Sequence, residues 1–379
     1  MVLLAGGGAY AFSGHGKTAG APGTGPQARS LSLPGCTTKT AAAPALTKVT
    51  SATVSTGGKP FGLAVTADGK YSFASTGDAV DVLRNSGALA PTVVRTIAAS
   101  HAGKSTTLTP NGQFLLAAAS SGAVIINVAE AIQGAADPVV GSLTSPGGKG
   151  AFQALVSSDN QYAFVTLQNT GKLAVFDLRS AVTQGASAHD FIGFVPLGGD
   201  PVGLVSDGTW LYVTNLGGTI SVVNQRKAET HPDTAVLKTV QGGCGAARAM
   251  LSADNSVLWV TARDADALLG FSTDRLRTDP AHALIARVMV GEAPLGETFT
   301  DGGRRIVLVD SNLNNLKSAQ PSIAVVDTTR ALAGKQALLG YIPTGGVPRA
   351  VAAEPGGSIL LVTVEGAGQV QALRVGDLP

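Results

Sequence analysis

The chain is poor in charged residues and in cysteine. Only 14% of its 379 residues are Asp, Glu, Lys or Arg, against about 25% in a typical globular domain. Two cysteines exclude a dense disulfide scaffold and a four-cysteine zinc site. No apolar run reaches the roughly 18 residues that a membrane-spanning helix needs. Glycine, with 49 residues, and apolar side chains, at 44%, are abundant. The composition therefore predicts a turn-rich protein with a large core.

Positive charge is concentrated near the N-terminus. Residues 1–50 carry four basic residues and no acid, which leaves residues 51–379 with 23 basic and 25 acidic side chains. Binding to nucleic-acid phosphates depends on concentrated positive charge. Nucleic acid is therefore an unfavoured partner for the main body of the chain.

The first 45 residues differ in composition from the rest. Met1–Ala5 is apolar, Ala9-Tyr10-Ala11 has the small-x-small form of a signal-peptidase site, and an Ala/Gly/Pro-rich stretch follows. We interpret residues 1–45 as the remnant of a signal or anchor with a flexible leader, and residues 46–379 as one domain. The prediction is an exported protein, secreted or associated with the cell envelope. A merely flexible N-terminus is the alternative.

From residue 53 onward the chain repeats one unit of short apolar stretches joined by tight turns. The turn dipeptides lie 43 to 54 residues apart: Asp68-Gly69, Asn111-Gly112, Asp159-Asn160, Asp207-Gly208, Asp254-Asn255, Asp301-Gly302 and Pro355-Gly356. Such a period predicts a radial array of small sheets, and Asn-Gly or Asp-Gly predicts a two-residue hairpin turn in each. The fold class is therefore all-β, a seven-bladed β-propeller of four-stranded antiparallel blades. Seven equal repeats disfavour a β-sandwich.

The last repeat has room for only three strands, at about 348–353, 359–364 and 369–375. The segment from Leu46 to Ser55 is strand-like and has no partner in the first repeat. Pairing it as the outer strand of the last blade would remove an exposed edge. We therefore expect an N-terminal strand to close the ring.

Three recurring segments mark the repeat. The entry recurs in Gly57–Gly62, Gly199–Gly203 and Gly291–Gly296, and the exit in Leu173–Asp177, Ile220–Asn224 and Ile323–Asp327. Together with Leu211-Tyr-Val-Thr-Asn215 they resemble the YVTN-type β-propeller repeat family, which includes YncE-like periplasmic proteins and surface-layer propellers. The resemblance covers about residues 53–375. It implies the fold, whereas the motif residues themselves are structural, with Asp177, Asn224 and Asp327 closing turns at strand ends.

Residues with catalytic potential are sparse. The five histidines have no metal-ligand spacing, and no phosphate-binding loop, catalytic serine elbow or EF-hand loop occurs, so we expect neither a metal nor a cofactor. Related propellers include 6-phosphogluconolactonase-type enzymes, and a lactonase-like hydrolase with a site at the channel mouth is the alternative function. The histidine typical of that family at a blade entry is missing.

Four charged residues nevertheless lie where the other repeats have apolar or small side chains. Aligning the repeats places Lys104, Arg248, Glu297 and Arg349 on or just before innermost strands, at the mouth of the central channel. They form either a ligand-binding cluster or a set of mutual ion pairs. We expect a non-enzymatic, monomeric scaffold that binds a small molecule or a protein at this face.

The two cysteines are candidates for a disulfide. Cys36 lies in the leader and Cys244 in the entry loop of the fifth repeat. All entry loops of a propeller lie on one face, so a leader that crosses this face could reach Cys244. In an oxidising compartment such a pair would bond and hold the leader across the channel mouth. Two unrelated thiols are the alternative.

Overall fold

Short antiparallel strands account for most of the computed structural model, which describes residues 31–379 apart from 38, 86, 88 and 315–318. In this part of the chain the strands form seven four-stranded sheets, numbered here as blades 1 to 7 in chain order. Leu31–Pro379 is one compact unit. No helix among these residues is long and apolar enough to cross a membrane. The signal-like segment lies outside the described residues.

The strand bounds follow the repeat. Strand β1 is Ser51–Ser55. Blade 1 holds β2 (Leu63–Val65), β3 (Tyr71–Ser75), β4 (Ala79–Arg84) and β5 (Thr92–Ala98). Blade 2 holds β6 (Thr106–Leu108), β7 (Phe114–Ala119), β8 (Gly122–Asn127) and β9 (Val139–Thr144). Blade 3 holds β10 (Ala151–Val156), β11 (Tyr162–Leu167), β12 (Lys172–Asp177) and β13 (Phe191–Pro196). Blade 4 holds β14 (Pro201–Ser206), β15 (Trp210–Asn215), β16 (Thr219–Asn224) and β17 (Val236–Gln241).

The remaining blades have the same order. Blade 5 holds β18 (Ala246–Leu251), β19 (Val257–Ala262), β20 (Ala267–Ser272) and β21 (Leu284–Met289). Blade 6 holds β22 (Pro294–Thr300), β23 (Arg305–Asp310), β24 (Ser322–Asp327) and β25 (Leu338–Pro343). Blade 7 holds β26 (Pro348–Ala353), β27 (Ile359–Val364), β28 (Gln369–Arg374) and β1.

The first strands of the blades meet around a central axis. Contacts run from β2 through β6, β10, β14, β18, β22 and β26 and return to β2, so the ring is closed. The predicted seven-bladed propeller is therefore confirmed. Glycine at the blade entry permits this close approach: a Cβ on Gly62 would lie 2.5 Å from the carbonyl oxygen of Lys104 in the next blade, and one on Gly203 would lie 2.5 Å from that of Ala247.

The N-terminal strand closes the ring as predicted, although it is shorter than expected. Strand β1 pairs antiparallel with β28, with Ser51 opposite Leu373 and Ser55 opposite Gln369. The residues before it diverge because they bond to blade 6 instead. The backbone N–H of Leu46 donates to the carbonyl of Tyr341, and Ala45 forms a parallel bridge with the same residue.

The turn dipeptides do not form two-residue hairpin loops. Five residues connect β2 to β3. Within them the N–H of Gly69 donates to the carbonyl of Thr66 and closes a β-turn, and Gly69 itself, the last residue of that turn, has φ +71°. Asn160 and Asn255 have the same arrangement, with φ of +61° and +58°. The sequence correctly marked the positions that need positive φ, but the loops are longer than a type I′ turn.

Five short α-helices, each of five to seven residues, follow the third strands of blades 2 to 6. In each, the last residue of the strand caps the helix, because its side-chain oxygen accepts from an N–H three residues later. Asp177 accepts from Ser180, Asn224 from Lys227 and Asp327 from Arg330. The helices are α1 (Val128–Gln133), α2 (Leu178–Gln184), α3 (Gln225–Thr230), α4 (Thr273–Thr278) and α5 (Thr328–Leu332).

Buried hydroxyl groups join neighbouring blades near the axis. Thr214 on β15 donates to the carbonyl of Ala247 in blade 5 at 2.8 Å, and Thr363 on β27 donates to that of Phe61 in blade 1 at 2.8 Å. Three other interfaces have the same bond, from Ser75 to Lys104, from Thr166 to Val202 and from Ser311 to Pro348. These bonds fix the backbone at the start of the innermost strands.

Candidate functional site

The fixed strand starts converge on one mouth of the central channel. Each innermost strand begins just after an entry loop, so the side chains there point toward the same opening. Lys104 precedes β6, Arg248 lies on β18 and Arg349 lies on β26, so three cations come from blades 2, 5 and 7. They line a single concave space with Phe61 and Phe152.

Two phenyl rings organise the cations. Phe61 and Phe152 meet edge to face with their centroids 5.6 Å apart. The Nζ of Lys104 lies 4.6 Å from the Phe61 centroid and 5.6 Å from the Phe152 centroid. The guanidinium of Arg349 lies 5.2 Å from Phe61 and that of Arg248 lies 5.1 Å from Phe152. Each ring is therefore shared by two cations.

The two arginines have partners in the protein. Arg349 donates from Nε to the carboxylate of Glu365, and Arg248 donates to the side-chain oxygen of Gln153 at 2.7 Å. Among the described residues, none accepts a hydrogen bond from the Lys104 ammonium. Burial lowers the pKa of Lys104, the nearby charges of Arg349 and Arg248 lower it further, and the carboxylate of Glu365 only partly opposes them. The mouth therefore holds a positive charge whose neighbours disfavour it.

Glu297 lies inside the channel rather than among the cations. It lines a second space with Arg248 and Gln153. Both of its carboxylate oxygens are buried, and no described residue donates a hydrogen bond to them. Burial raises the pKa of Glu297 well above its usual range, although Arg248 opposes the rise. Burial also lowers the pKa of Arg248 to about 10, so the guanidinium remains charged at neutral pH.

The structure thus brings together three of the four predicted residues at the mouth, with the fourth deeper in the channel. Of the mutual pairs considered from sequence, Glu297 and Arg248 interact through charge without a hydrogen bond. Sequence reasoning missed Glu365, Gln153 and the mouth-lining Arg263. Glu365 belongs to the loop between the second and third strands of blade 7, and these loops reach the same face as the entries. That shared face was the signal that could have identified it.

The mouth is a mixed apolar and cationic pocket of about 540 Å³, including the part open to solvent. Its other lining includes Val202, Leu216, Leu295 and Leu313. Arg263 lines it as well, with its guanidinium paired to Asp264 at 2.7 Å. No histidine is among its described lining residues, and the four described histidines are exposed elsewhere. A lactone hydrolase needs a group that activates water. The lactonase alternative is therefore not favoured. The described lining offers charge pairing and apolar contact.

Within residues 31–379 as described, no group of three or more His, Cys, Asp or Glu side chains is arranged to hold a metal ion. His15 lies outside the described residues.

The segment of residues 31–49, called the strap here, lies along the outer strands and not across the mouth. Cys36 and Cys244 form a disulfide with their Cα atoms 5.2 Å apart. Arg287 on β21 donates to the carbonyl of Ser32, and the N–H of Ala41 donates to the carbonyl of Val290. No residue of the described strap lines the mouth. The described part of the leader therefore does not cover the mouth, because it follows blades 5 and 6.

Comparisons with known proteins identify the architecture. No known family profile and no curated protein matches the chain. Among solved structures, hydrazine synthase from Kuenenia stuttgartiensis matches with a TM-score of 0.64 and 14% identity over 85% of this chain and 97% of that chain. The β-propeller domain of Cps50 (Swd1) from Myceliophthora thermophila matches with a TM-score of 0.65 and 12% identity over 86% and 98%. At such identity the likeness shows the propeller fold alone.

Proposed function

We propose that this protein is an extracytoplasmic, non-enzymatic β-propeller that binds a ligand at the mouth of its central channel. The observation that carries the proposal is the group of three cations on two shared phenyl rings. Ion-pair networks that serve only stability leave few charges without a partner, whereas Lys104 has no acceptor among the described residues. Pockets that bind small molecules combine apolar walls with a few placed polar groups.

The extracytoplasmic assignment is supported by the disulfide. Disulfides persist in oxidising compartments and are rare in reducing ones. The Cys36–Cys244 bond joins residues separated by 208 positions in the sequence. A signal-like N-terminus is consistent with export. The proposed relation to YVTN-type, YncE-like envelope propellers rests on the repeat motifs.

A thermal-shift screen with a mixed set of neutral, cationic and anionic small molecules tests the binding proposal. Leu216→Trp should narrow the mouth, because Leu216 lines it. Leu237→Trp is the matched control on outer strand β17 of the same blade, where Leu237 is 47% exposed. A ligand at about 100 times its Kd stabilises the folded state by about 2.7 kcal/mol. We expect compounds that stabilise the wild type and Leu237→Trp but not Leu216→Trp. Hits that stabilise all three equally would place binding elsewhere.

A further inference from the structure

The charges at the mouth do not balance. Four cations, Lys104, Arg248, Arg263 and Arg349, line it. Only two carboxylates are hydrogen-bonded to them, Glu365 to Arg349 and Asp264 to Arg263. Glu297 offers little compensation, because burial favours its neutral form. An anion entering the mouth would therefore neutralise charge that the protein leaves uncompensated.

The cations are close enough for their charges to act together on one anionic ligand. Lys104 and Arg349 lie 4.6 Å and 5.2 Å from the centre of the same ring, so about 10 Å at most separates them, near the Debye length of physiological salt. Lys104 and Arg248 share the Phe152 ring in the same way. The ring faces stabilise the cations only weakly, by about 0.5–2 kcal/mol each, so the ammonium of Lys104 is available to a stronger partner.

The walls select the rest of the ligand. Phe61 and Phe152 stand beside the cations, and Leu216, Leu295 and Leu313 contribute aliphatic surface. Leu313 is 37% exposed, so its apolar surface is available for contact with a ligand. A fully hydrated inorganic ion would leave these walls in contact with water. A ligand with an apolar part would bury them.

Building on the proposed function, we infer that the ligand is a small organic anion in which one carboxylate or phosphate group is attached to an apolar body. Lys104 is the primary contact of the anionic group, because it is the cation without an acceptor among the described residues. Arg248 and Arg349 contribute charge while their bonds to Gln153 and Glu365 hold them in place. The phenyl rings and leucines contact the apolar body.

Isothermal titration calorimetry with four probes of similar shape tests this inference: benzoate, phenyl phosphate, neutral benzamide and cationic benzylamine. The variant is Lys104→Met, which keeps most of the side-chain length and removes the charge. Lys172→Met is the matched control, since Lys172 also lies over a phenyl ring, 4.4 Å from the centroid of Phe194, but does not line the mouth. Titrations at about 50 and about 500 mM salt measure the electrostatic part.

The two anions should bind about tenfold more tightly than benzamide, and benzylamine should bind most weakly. Lys104→Met should weaken anion binding about tenfold, which is 1.4 kcal/mol, and Lys172→Met should leave it unchanged. High salt should weaken binding of the anions but not of benzamide. The stronger of benzoate and phenyl phosphate indicates whether a carboxylate or a phosphate is preferred.

Equal binding of benzamide and benzoate, unchanged anion binding in Lys104→Met, or no binding of either anion would overturn the inference. The thermal-shift screen separates this result from failure of the proposed function. Neutral or cationic hits that Leu216→Trp abolishes would keep the mouth as the binding site with a different ligand class. A screen in which no stabilising compound depends on Leu216 would contradict both the anion inference and the proposed binding at the mouth.

Discussion

At the scale of single residues, the threonine of the repeat motif has a specific physical task. Thr214, in the Leu211–Asn215 segment, is fully buried and donates across the blade interface to the carbonyl of Ala247. Ala247 precedes Arg248, so the same bond fixes the backbone that presents a mouth cation. The motif residue is therefore structural, and its effect reaches the candidate site through one peptide group.

Thr214→Val tests this assignment. Valine has nearly the same shape but no hydroxyl, so the carbonyl of Ala247 would remain buried without this donor. The expected loss is about 1–3 kcal/mol of unfolding free energy. Urea denaturation provides the measurement, with Thr239→Val on outer strand β17 as a control that should lose much less. Equal stability of Thr214→Val and the wild type would show that the interblade bond contributes nothing.

At the scale of secondary-structure elements, the strap and β1 hold the N-terminal part of the chain against three blades. Strand β1 completes blade 7, and the strap bonds to outer strands of blades 5 and 6. The disulfide anchors the strap at the entry loop of blade 5. These elements cover edges that a propeller would otherwise expose.

Loss of the disulfide should lower the stability of the whole body. A crosslink across 208 positions restricts the unfolded chain strongly, and native disulfides typically contribute about 2–4 kcal/mol. The guanidinium midpoint should therefore fall when reductant is added. The double variant Cys36→Ser, Cys244→Ser should have the same midpoint as the reduced wild type, and adding reductant should not change it. Wild-type protein isolated without reductant should contain no titratable thiol. Two thiols per chain would contradict both the bond and the proposed extracytoplasmic location.

The elements were largely predictable from the sequence because their signals are local. Turn residues with positive φ, such as Gly69 and Asn160, marked each blade, and the last three strands, β26 to β28, lie within about one residue of the predicted bounds. The route of the strap was not predictable, because Ala41 and Tyr341 are 300 positions apart and no local pattern encodes their bond.

The candidate site was predictable in part for the same reason. Repeat alignment placed Lys104, Arg248 and Arg349 at equivalent positions, which a ring brings together. The hydrogen-bond partners of the arginines could not be predicted in this way, because they depend on the direction of each side chain in the folded ring. Glu297 was considered as a partner for an arginine, whereas the hydrogen-bonded carboxylate is Glu365, which lies in a loop of the same blade as Arg349.

At the scale of the whole molecule, pH should act through carboxyl groups buried between blades 5 and 6. Asp266 and Asp310 are both fully buried, and each has one oxygen without a hydrogen-bond donor among the described residues. Burial raises the pKa of Asp266 to about 6 and that of Asp310 well above its usual range. The neighbouring carboxylate of Glu292 adds to both shifts, whereas an N–H of the strap residue Lys39 opposes the one at Asp266.

The sign of the effect follows from proton binding. Above pH 3.8 the unfolded chain releases these protons, whereas the folded protein keeps them until the higher folded-state pKa is passed. The contribution of Asp266 to stability should therefore fall as pH rises from about 4 through 6. The contribution of Asp310 should continue to fall above that range. We expect the free energy of unfolding to be about 1–3 kcal/mol higher at pH 5 than at pH 8, which raises the melting temperature by about 1–4 °C in a domain of this size.

Asp310→Asn isolates the contribution of one group, because asparagine keeps the shape and an acceptor for Ser322 but does not ionise. The variant should be more stable than the wild type at pH 8, and its melting temperature should depend less on pH. Asp159→Asn, in an exposed turn of blade 3, is the control and should follow the wild-type profile. A larger loss of stability in Asp310→Asn at pH 8 than at pH 5 would contradict this prediction. The fold would then stabilise the ionised carboxylate of Asp310, and the strap would cover a charged site between blades 5 and 6.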